Sequence, residues 1–123
     1  MLTVYAYDKC STCRAGLAWL TQQGIRCMVK PIRTQPPTQA ELKRMLTAQG
    51  GELRKLFNTS GKDYRALGLG AKLATLSEAE ALRLLGANGN LVKRPFVVGP
   101  GVGLVGFNAA TWSAALGATG GVS

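Results

Sequence analysis

Two cysteines three positions apart are the residues with the clearest chemical capacity in this sequence. Cys10 and Cys13 form a C-x-x-C motif, flanked by Lys9 and Arg14 and preceded by Asp8. A cysteine reacts as its thiolate, and free backbone N–H groups at a helix N-terminus, together with nearby cations, stabilise that anion. We therefore predict that Cys10 attacks a disulfide. Cys13 would then resolve the mixed disulfide or close a Cys10–Cys13 disulfide.

Half of a zinc site, or a pair of inert cysteines, is the alternative interpretation of this motif. The sequence has three cysteines and no histidine, one ligand short of an all-cysteine tetrahedral zinc site. The missing histidine also excludes Ser-His-Asp and Cys-His catalysis. We predict no metal site. Cys27 is predicted to be a small buried apolar residue rather than a redox partner.

The residues around the motif predict a β-α-β unit. Residues 2–7 alternate β-branched and aromatic side chains and predict a strand, and residues 25–32 predict a second one. Between them, the spacing of Leu17 and Leu20 predicts a helix that ends at Gly24. A right-handed crossover makes the two strands parallel and places the C-x-x-C motif at the first strand-to-helix turn.

The middle of the chain predicts helices. Residues 38–41 and residues 77–80 are capping boxes, each of which opens a helix. The first helix is predicted to close at the glycines 50–51 and the second at Gly86. A short helix is predicted over residues 52–57.

The last third of the chain predicts a hairpin and a closing helix. Residues 91–98 and 104–107 are strand-like and are joined by a glycine-rich turn, and Asn108 is placed to cap a helix through Leu116. Residues 118–123 are expected to fray. Pro95 lies near the head of the first of these strands, and its spacing alone leaves a trans and a cis peptide bond equally open.

Length and composition limit the class of protein. A chain of 123 residues with 46% hydrophobic residues predicts a single folded domain over residues 1–123. No apolar run approaches the ~20 residues of a membrane span, and no signal peptide is recognisable, so we expect a cytoplasmic protein. Lys and Arg number 15 against 6 acidic residues, a net charge of +9 that favours an acidic partner or a small anion. No nucleic-acid-binding motif accompanies this charge.

Several blocks of sequence, in order, resemble the arsenate reductase-related ArsC/Spx/YffB family. They are KCSTCR at 9–14, LFNTSG at 56–61 with YR at 64–65 and LGL at 67–69, KRPFVV at 93–98, and LVGF at 104–107. The resemblance implies an α/β, thioredoxin-like fold, with glutaredoxin-like βαβ and ββα halves and a helical insert over residues 38–86. It also implies a cis peptide bond before Pro95.

The same resemblance implies roles for individual residues. Cys10 matches the family's nucleophilic cysteine. Arg94 matches the arginine before the cis proline, which contacts the oxyanion or the thiolate. The residues expected to contact glutathione or another anionic co-substrate are Lys9, Ser11, Thr12, Arg94 and Pro95. No tightly bound cofactor is expected.

Two departures separate this sequence from true arsenate reductases of this type. Asn58 and Phe107 stand where those enzymes carry two further arginines around the anion, and neither side chain replaces a bidentate guanidinium. Those enzymes also use one active-site cysteine with external glutathione and glutaredoxin. The Cys10–Cys13 pair agrees instead with Spx/MgsR-type members, whose C-x-x-C is a redox switch on a regulator that binds RNA polymerase.

These considerations leave three functions in order of preference. The first is a thiol–disulfide oxidoreductase, with glutathione as its co-substrate, in which Cys10 attacks, Cys13 resolves and Arg94 assists. The second is a redox-sensing regulator that binds RNA polymerase. The third is an arsenate reductase.

Overall fold

The sheet of this protein has four strands in the order β2-β1-β3-β4 in a computed structural model that describes residues 1–117. The strands are β1 (Leu2–Ala6), β2 (Cys27–Pro31), β3 (Phe96–Gly99) and β4 (Val102–Val105). β1 pairs in parallel with β2 and antiparallel with β3, which pairs antiparallel with β4. The predicted parallel crossover and C-terminal hairpin are both confirmed, although β4 begins and ends two residues before the strand predicted over residues 104–107. The predicted fraying of residues 118–123 lies outside the described residues.

Helices flank both faces of this sheet. They are α1 (Ser11–Gln22), α2 (Gln39–Ala48), α3 (Lys62–Ala66), α4 (Leu69–Lys72), α5 (Glu78–Ala87) and α6 (Ala109–Leu116). Helices α2 to α5 lie between the βαβ half and the ββα half of the chain, as the predicted insert does. None of the helices in residues 1–117 is long and apolar enough to cross a membrane.

Two apolar cores lie on opposite faces of the sheet, because successive side chains of a strand point to opposite sides. On one face, Val4 of β1 packs with Leu20 of α1 and Trp112 of α6. On the other face, Tyr5 meets Phe96 edge to face, with ring centroids 5.9 Å apart, and joins the core of the insert. One pair of strands therefore anchors both the helix that carries the cysteines and the helical insert.

Both predicted capping boxes are present and begin α2 and α5. The side chains of Thr38 and Ser77 accept from the backbone N–H three residues on, and Glu41 and Glu80 accept from the cap N–H in return. The hydroxyl of Tyr5 also donates to Glu41 Oε1 at 2.6 Å. The insert is thus tied to β1 in the first turn of α2.

The strand predicted over residues 91–98 was wrong in its first half. β3 begins only at Phe96, and Gly89–Leu91 forms a 3₁₀ turn instead. The backbone N–H of Asn90 donates to the side chain of Asn88 at 3.0 Å, which satisfies the first turn locally. This turn brings the segment back against the end of β2 before the chain enters the sheet.

Two helix boundaries also differ from the prediction. α5 continues through Gly86 to Ala87, because this glycine makes room for the side chain of Gln39 rather than ending the helix. The amide of Gln39 donates to the carbonyl of Leu82 at 2.8 Å. The helix predicted over residues 52–57 is a 3₁₀ turn, Leu53–Leu56.

Candidate functional site

The two cysteines of the C-x-x-C motif occupy the start of α1. Cys10 is the N-cap residue, and its Sγ accepts a hydrogen bond from the backbone N–H of Cys13 at 3.3 Å. Cys10 is half-buried, whereas Cys13 is fully buried, and both are free thiols. One of the free N–H groups of the helix start is thus satisfied by the sulfur of Cys10.

Burial sets the protonation state of the second cysteine. It raises the pKa of Cys13 to about 12, partly opposed by a backbone hydrogen bond of Tyr7; the neighbouring Cys10 raises the pKa further, and the charge of Arg94 lowers it slightly. Cys13 is therefore a protonated thiol near neutral pH. The half-buried sulfur of Cys10 is therefore the more accessible of the two and the one that can meet a substrate first.

The third cysteine lies far from this pair. Cys27 begins β2 and pairs with Leu2 at the opposite end of β1 from Cys10, on the order of 15 Å away at the rise of a strand. It is half-buried rather than buried as predicted, because β2 is an edge strand, and burial raises the pKa of its thiol. Within residues 1–117, no three or more His, Cys, Asp or Glu side chains are placed to hold a metal ion.

Arg94 and Pro95 lie beside the cysteine pair, joined by the cis peptide bond that the resemblance implies. Pro95 is buried, and its carbonyl accepts from the backbone N–H of Gly106 at 2.9 Å. The guanidinium carbon of Arg94 lies 5.6 Å from the centroid of the Tyr7 ring. Its Nη1 is buried and has no hydrogen-bond partner among the described residues.

The remaining predicted contact residues do not gather around Arg94. Lys9, Ser11 and Thr12 are exposed at the start of α1, and none of them lines the cleft that contains Arg94. Their binding role stays a prediction.

A polar cleft of about 340 Å³ opens beside Arg94. Its lining residues are Tyr7, Arg33, Asn58, Gly61, Lys62, Asp63, Asn90 and Arg94. Arg33 is held there by two hydrogen bonds, from Nη1 to the Tyr7 hydroxyl at 2.8 Å and from Nε to Asn90 Oδ1 at 3.0 Å. Its guanidinium carbon also lies 4.7 Å from the centroid of the Tyr7 ring.

Sequence analysis did not single out Tyr7, Arg33 or Asn90. A signal for the first two was present, because they follow the carboxyl ends of two neighbouring parallel strands, and such ends meet at one edge of a sheet. Asn90 gave no such signal. Its place depends on the 3₁₀ turn that the sequence did not predict.

The two positions where arsenate reductases carry further arginines have different surroundings here. Asn58 lines the cleft, where its amide adds polar groups but no charge. Phe107 packs edge to face on Trp112, with centroids 4.8 Å apart, and also contacts Trp19. It therefore belongs to an aromatic cluster that closes the core between α1 and α6.

The fold and this site together define a class of protein. A C-x-x-C motif at the N-terminus of the first helix, beside a cis proline at the head of a central strand, is the arrangement of a thioredoxin-like domain. The chain belongs to the ArsC family, whose family model matches residues 5–115.

Relatives of this chain have several names. It is 44% identical over 106 residues to the uncharacterized protein YusI of Bacillus subtilis (strain 168), covering 86% of this chain and 90% of that protein. It is 34% identical to an arsenate reductase of Rhizobium meliloti (strain 1021), over 80% of this chain and 69% of that enzyme. It is 26% identical to the global transcriptional regulator Spx of Streptococcus pneumoniae (strain ATCC BAA-255 / R6), over 88% of this chain and 80% of Spx.

A solved structure confirms the thioredoxin-like α/β fold. The crystal structure of a possible arsenate reductase from Streptococcus mutans UA159 matches with a TM-score of 0.82 and 44% sequence identity. The match covers 89% of this chain and 92% of that one. The helical insert between the two halves of the fold is thus shared with a relative of known structure.

Proposed function

We propose that this protein is a thiol–disulfide oxidoreductase in which Cys10 is the attacking thiol and Cys13 the resolving thiol. The observation that carries this proposal is the contact between the two residues. The sulfur of Cys10 accepts from the backbone N–H of Cys13 at 3.3 Å, while the thiol of Cys13 is buried one turn inside the helix. The more accessible sulfur of Cys10 can meet a substrate first, and the buried thiol of Cys13 is placed to react with it afterwards.

The reaction proceeds by two exchanges. The Cys10 thiolate attacks one sulfur of a disulfide, forms a mixed disulfide, and releases the other half of the substrate as a thiolate. Cys13 then gives up its proton, attacks the sulfur of Cys10, and releases the second half as a thiol. Two electrons pass from the protein dithiol to the substrate, and the protein is left with a Cys10–Cys13 disulfide.

An external thiol must return the protein to its reduced form. Glutathione serves as this reductant in the proposal: two molecules reverse the two exchanges and leave as glutathione disulfide. Arg94 supports this cycle because its charge lies close enough to lower the pKa of Cys13 while the residue lines the neighbouring cleft. It would stabilise the thiolate that forms on Cys13 when this residue gives up its proton at the start of the second exchange.

Turnover with glutathione tests the proposal. The protein is incubated with glutathione and bis(2-hydroxyethyl) disulfide, and the glutathione disulfide formed is measured through NADPH oxidation by glutathione reductase. We expect turnover in the wild type and in Cys27→Ser, which removes the remote thiol, and none in Cys10→Ser. Equal rates in the wild type and Cys10→Ser would overturn the proposal.

A regulator is the second candidate, supported by the similarity to Spx. In this case the Cys10–Cys13 disulfide would change the affinity of the chain for RNA polymerase, and the net charge of +9 suits an acidic protein face. A binding assay with purified RNA polymerase, run with the oxidised and the reduced protein, distinguishes the two. Redox-dependent binding without turnover favours the regulator.

Arsenate reduction has the weakest support of the three. At the two positions where arsenate reductases carry further arginines, this chain has the uncharged amide of Asn58 in the cleft and the side chain of Phe107 in the aromatic cluster. We expect no arsenate-dependent NADPH oxidation when glutathione and glutaredoxin are supplied.

A further inference from the structure

We propose that Arg33, together with Arg94, binds the carboxylate of a small anionic disulfide, so that Arg33 sets the substrate preference of the protein. This inference rests on the oxidoreductase function proposed above and names its substrate class. Neither the C-x-x-C motif nor the residues matched to the family include Arg33. Its role follows from its place in the cleft.

Two hydrogen bonds orient the guanidinium of Arg33 and leave some of its N–H donors without a partner. Its Nε donates to Asn90 Oδ1 and its Nη1 to the Tyr7 hydroxyl, which uses two of the five N–H groups of an arginine. Three donors remain for a ligand. A guanidinium already oriented by its neighbours loses less side-chain entropy when it binds a carboxylate.

Arg94 supplies a further unpaired donor in the same cleft. Its Nη1 is buried and lacks a hydrogen-bond partner among the described residues, and such a group is costly unless something satisfies it. Both guanidiniums approach the ring of Tyr7, at 4.7 Å for Arg33 and 5.6 Å for Arg94. Two like charges therefore contact one aromatic ring, and an anion bound between them would relieve their repulsion.

The charge of the cleft is strongly positive. Arg33, Lys62 and Arg94 line it against one carboxylate, that of Asp63. An oxygen of Asp63 accepts from the side-chain amide of Asn88 at 2.9 Å, which directs this carboxylate toward a neutral partner. Among residues 1–117, no ion pair includes any of the three cations.

Tyr7 connects this cleft to the reacting sulfur. Its ring contacts the two arginines, and its carbonyl accepts from the backbone N–H of Cys10 at 3.0 Å. We expect a disulfide attacked by Cys10 to extend its far end toward this cleft, which is lined by the same Tyr7. A carboxylate at that end would meet the guanidiniums, and an ammonium would be repelled.

A series of disulfides that differ only in terminal charge tests this inference. The disulfides are 3,3′-dithiodipropionate, bis(2-hydroxyethyl) disulfide and cystamine, which carry carboxylate, hydroxyl and ammonium ends. Each is mixed with the pre-reduced protein at low salt, and the rate constant of single-turnover oxidation is measured. Each value is divided by that of the same disulfide with dithiothreitol, which removes the intrinsic reactivity.

Three arginine variants make the test specific. In the wild type we expect the order dianion, neutral, dication, with about tenfold between the first two, the factor of one charge-assisted hydrogen bond. Arg33→Gln should remove most of that factor, and Arg33→Lys should restore part of it. Arg26→Gln removes the same charge from an exposed position in a depression lined also by Met1 and Pro100, and should keep the order.

Binding without chemistry gives a second readout. The thioether 3,3′-thiodipropionate cannot be reduced, and its binding to Cys10→Ser is followed by NMR amide shifts. We expect shifts at Tyr7 and Arg33 that Arg33→Gln weakens. The inference is overturned if the three disulfides react with equal corrected rates, or if Arg33→Gln and Arg26→Gln change them alike. If no disulfide reacts faster than it does with Cys10→Ser, the proposed function itself fails, whereas thioether binding at Tyr7 would still support the anion site.

Discussion

Tyr7 and Cys10 are joined by a backbone hydrogen bond of 3.0 Å, from the N–H of the cysteine to the carbonyl of the tyrosine. This bond closes the turn between β1 and α1 and fixes the cysteine sulfur at the helix start. The ring of the same tyrosine contacts the guanidiniums of Arg33 and Arg94 in the neighbouring cleft. One residue thus couples the position of the proposed nucleophile to that of the proposed anion site.

Alkylation of the native protein should separate the three cysteines. We expect iodoacetamide at neutral pH to modify Cys10 first, Cys27 more slowly, and Cys13 only after unfolding, because Cys13 is fully buried and its pKa is raised to about 12. Peptide mass spectrometry after timed quenching gives the three rates. Labelling of Cys13 as fast as Cys10 would contradict the assignment of roles.

Removal of the resolving thiol should trap the first intermediate. In Cys13→Ser the mixed disulfide between Cys10 and glutathione has no internal thiol to displace it, so we expect it to accumulate after addition of glutathione disulfide. Intact-mass analysis detects one added glutathione. Cys27→Ser, as the matched control, should pass to the Cys10–Cys13 disulfide like the wild type. A stable mixed disulfide in that control would mean that Cys13 does not resolve.

Neutralising Arg94 should slow both exchanges. Arg94→Gln keeps a similar size but loses the cation near the cysteine pair, and we expect the single-turnover rate to fall by about tenfold, as for the loss of one charged hydrogen bond. Arg94→Lys should recover part of this rate because the charge returns without the fork of donors. Arg26→Gln again controls for net charge, and an equal loss in that variant would remove the specific role of Arg94.

The reduced protein should lose stability at alkaline pH. Burial raises the pKa of Cys13 from 9.0 to about 12, so the unfolded chain releases this proton at a lower pH than the folded one. The contribution of this thiol to the free energy of unfolding is complete below pH 9 and is lost as the pH rises from 9 to about 12. Over this range, proton linkage lowers the free energy of unfolding by about 1 kcal/mol per pH unit. Urea unfolding at several pH values measures this effect, and the free energy of unfolding should fall less steeply with pH in Cys13→Ala than in the wild type. An equally steep fall in Cys13→Ala would assign the effect to other groups, such as the buried Tyr5, whose pKa is also raised.

A methyl group at Gly89 should disturb both stability and the cleft. A Cβ there would collide with the backbone carbonyl of Ile32, beside the two residues Arg33 and Asn90 that hydrogen-bond each other. We expect Gly89→Ala to lower the free energy of unfolding by about 2 kcal/mol, the cost of overpacking, and to weaken the preference for anionic disulfides. Gly70→Ala, in α4 with only a contact at 3.9 Å, is the matched control and should be neutral or stabilising. Equal stability of the two variants would contradict this close approach.

Several features of the site could be predicted from the sequence because they depend on neighbouring residues. The C-x-x-C spacing places Cys13 in the first turn of a helix that Cys10 caps, and both capping boxes form as their residue types require. The cis bond before Pro95 could be predicted only through the family resemblance, since spacing left both isomers open. The prediction that Cys27 is buried was wrong, because the sequence does not indicate which strand lies at the edge of the sheet.

The sequence by itself determined the C-x-x-C motif, the βαβ and ββα halves and the starts of the capped helices, since each follows from contacts within one or two turns of chain. Only the tertiary structure decided that Arg33 lies on Tyr7, 26 residues away, and on Asn90, 57 residues away. The parallel pairing of β1 with β2 sets the first contact, and the 3₁₀ turn before β3 sets the second. Such contacts depend on how distant segments pack together, and the sequence pattern of one segment does not indicate which other segment it will contact.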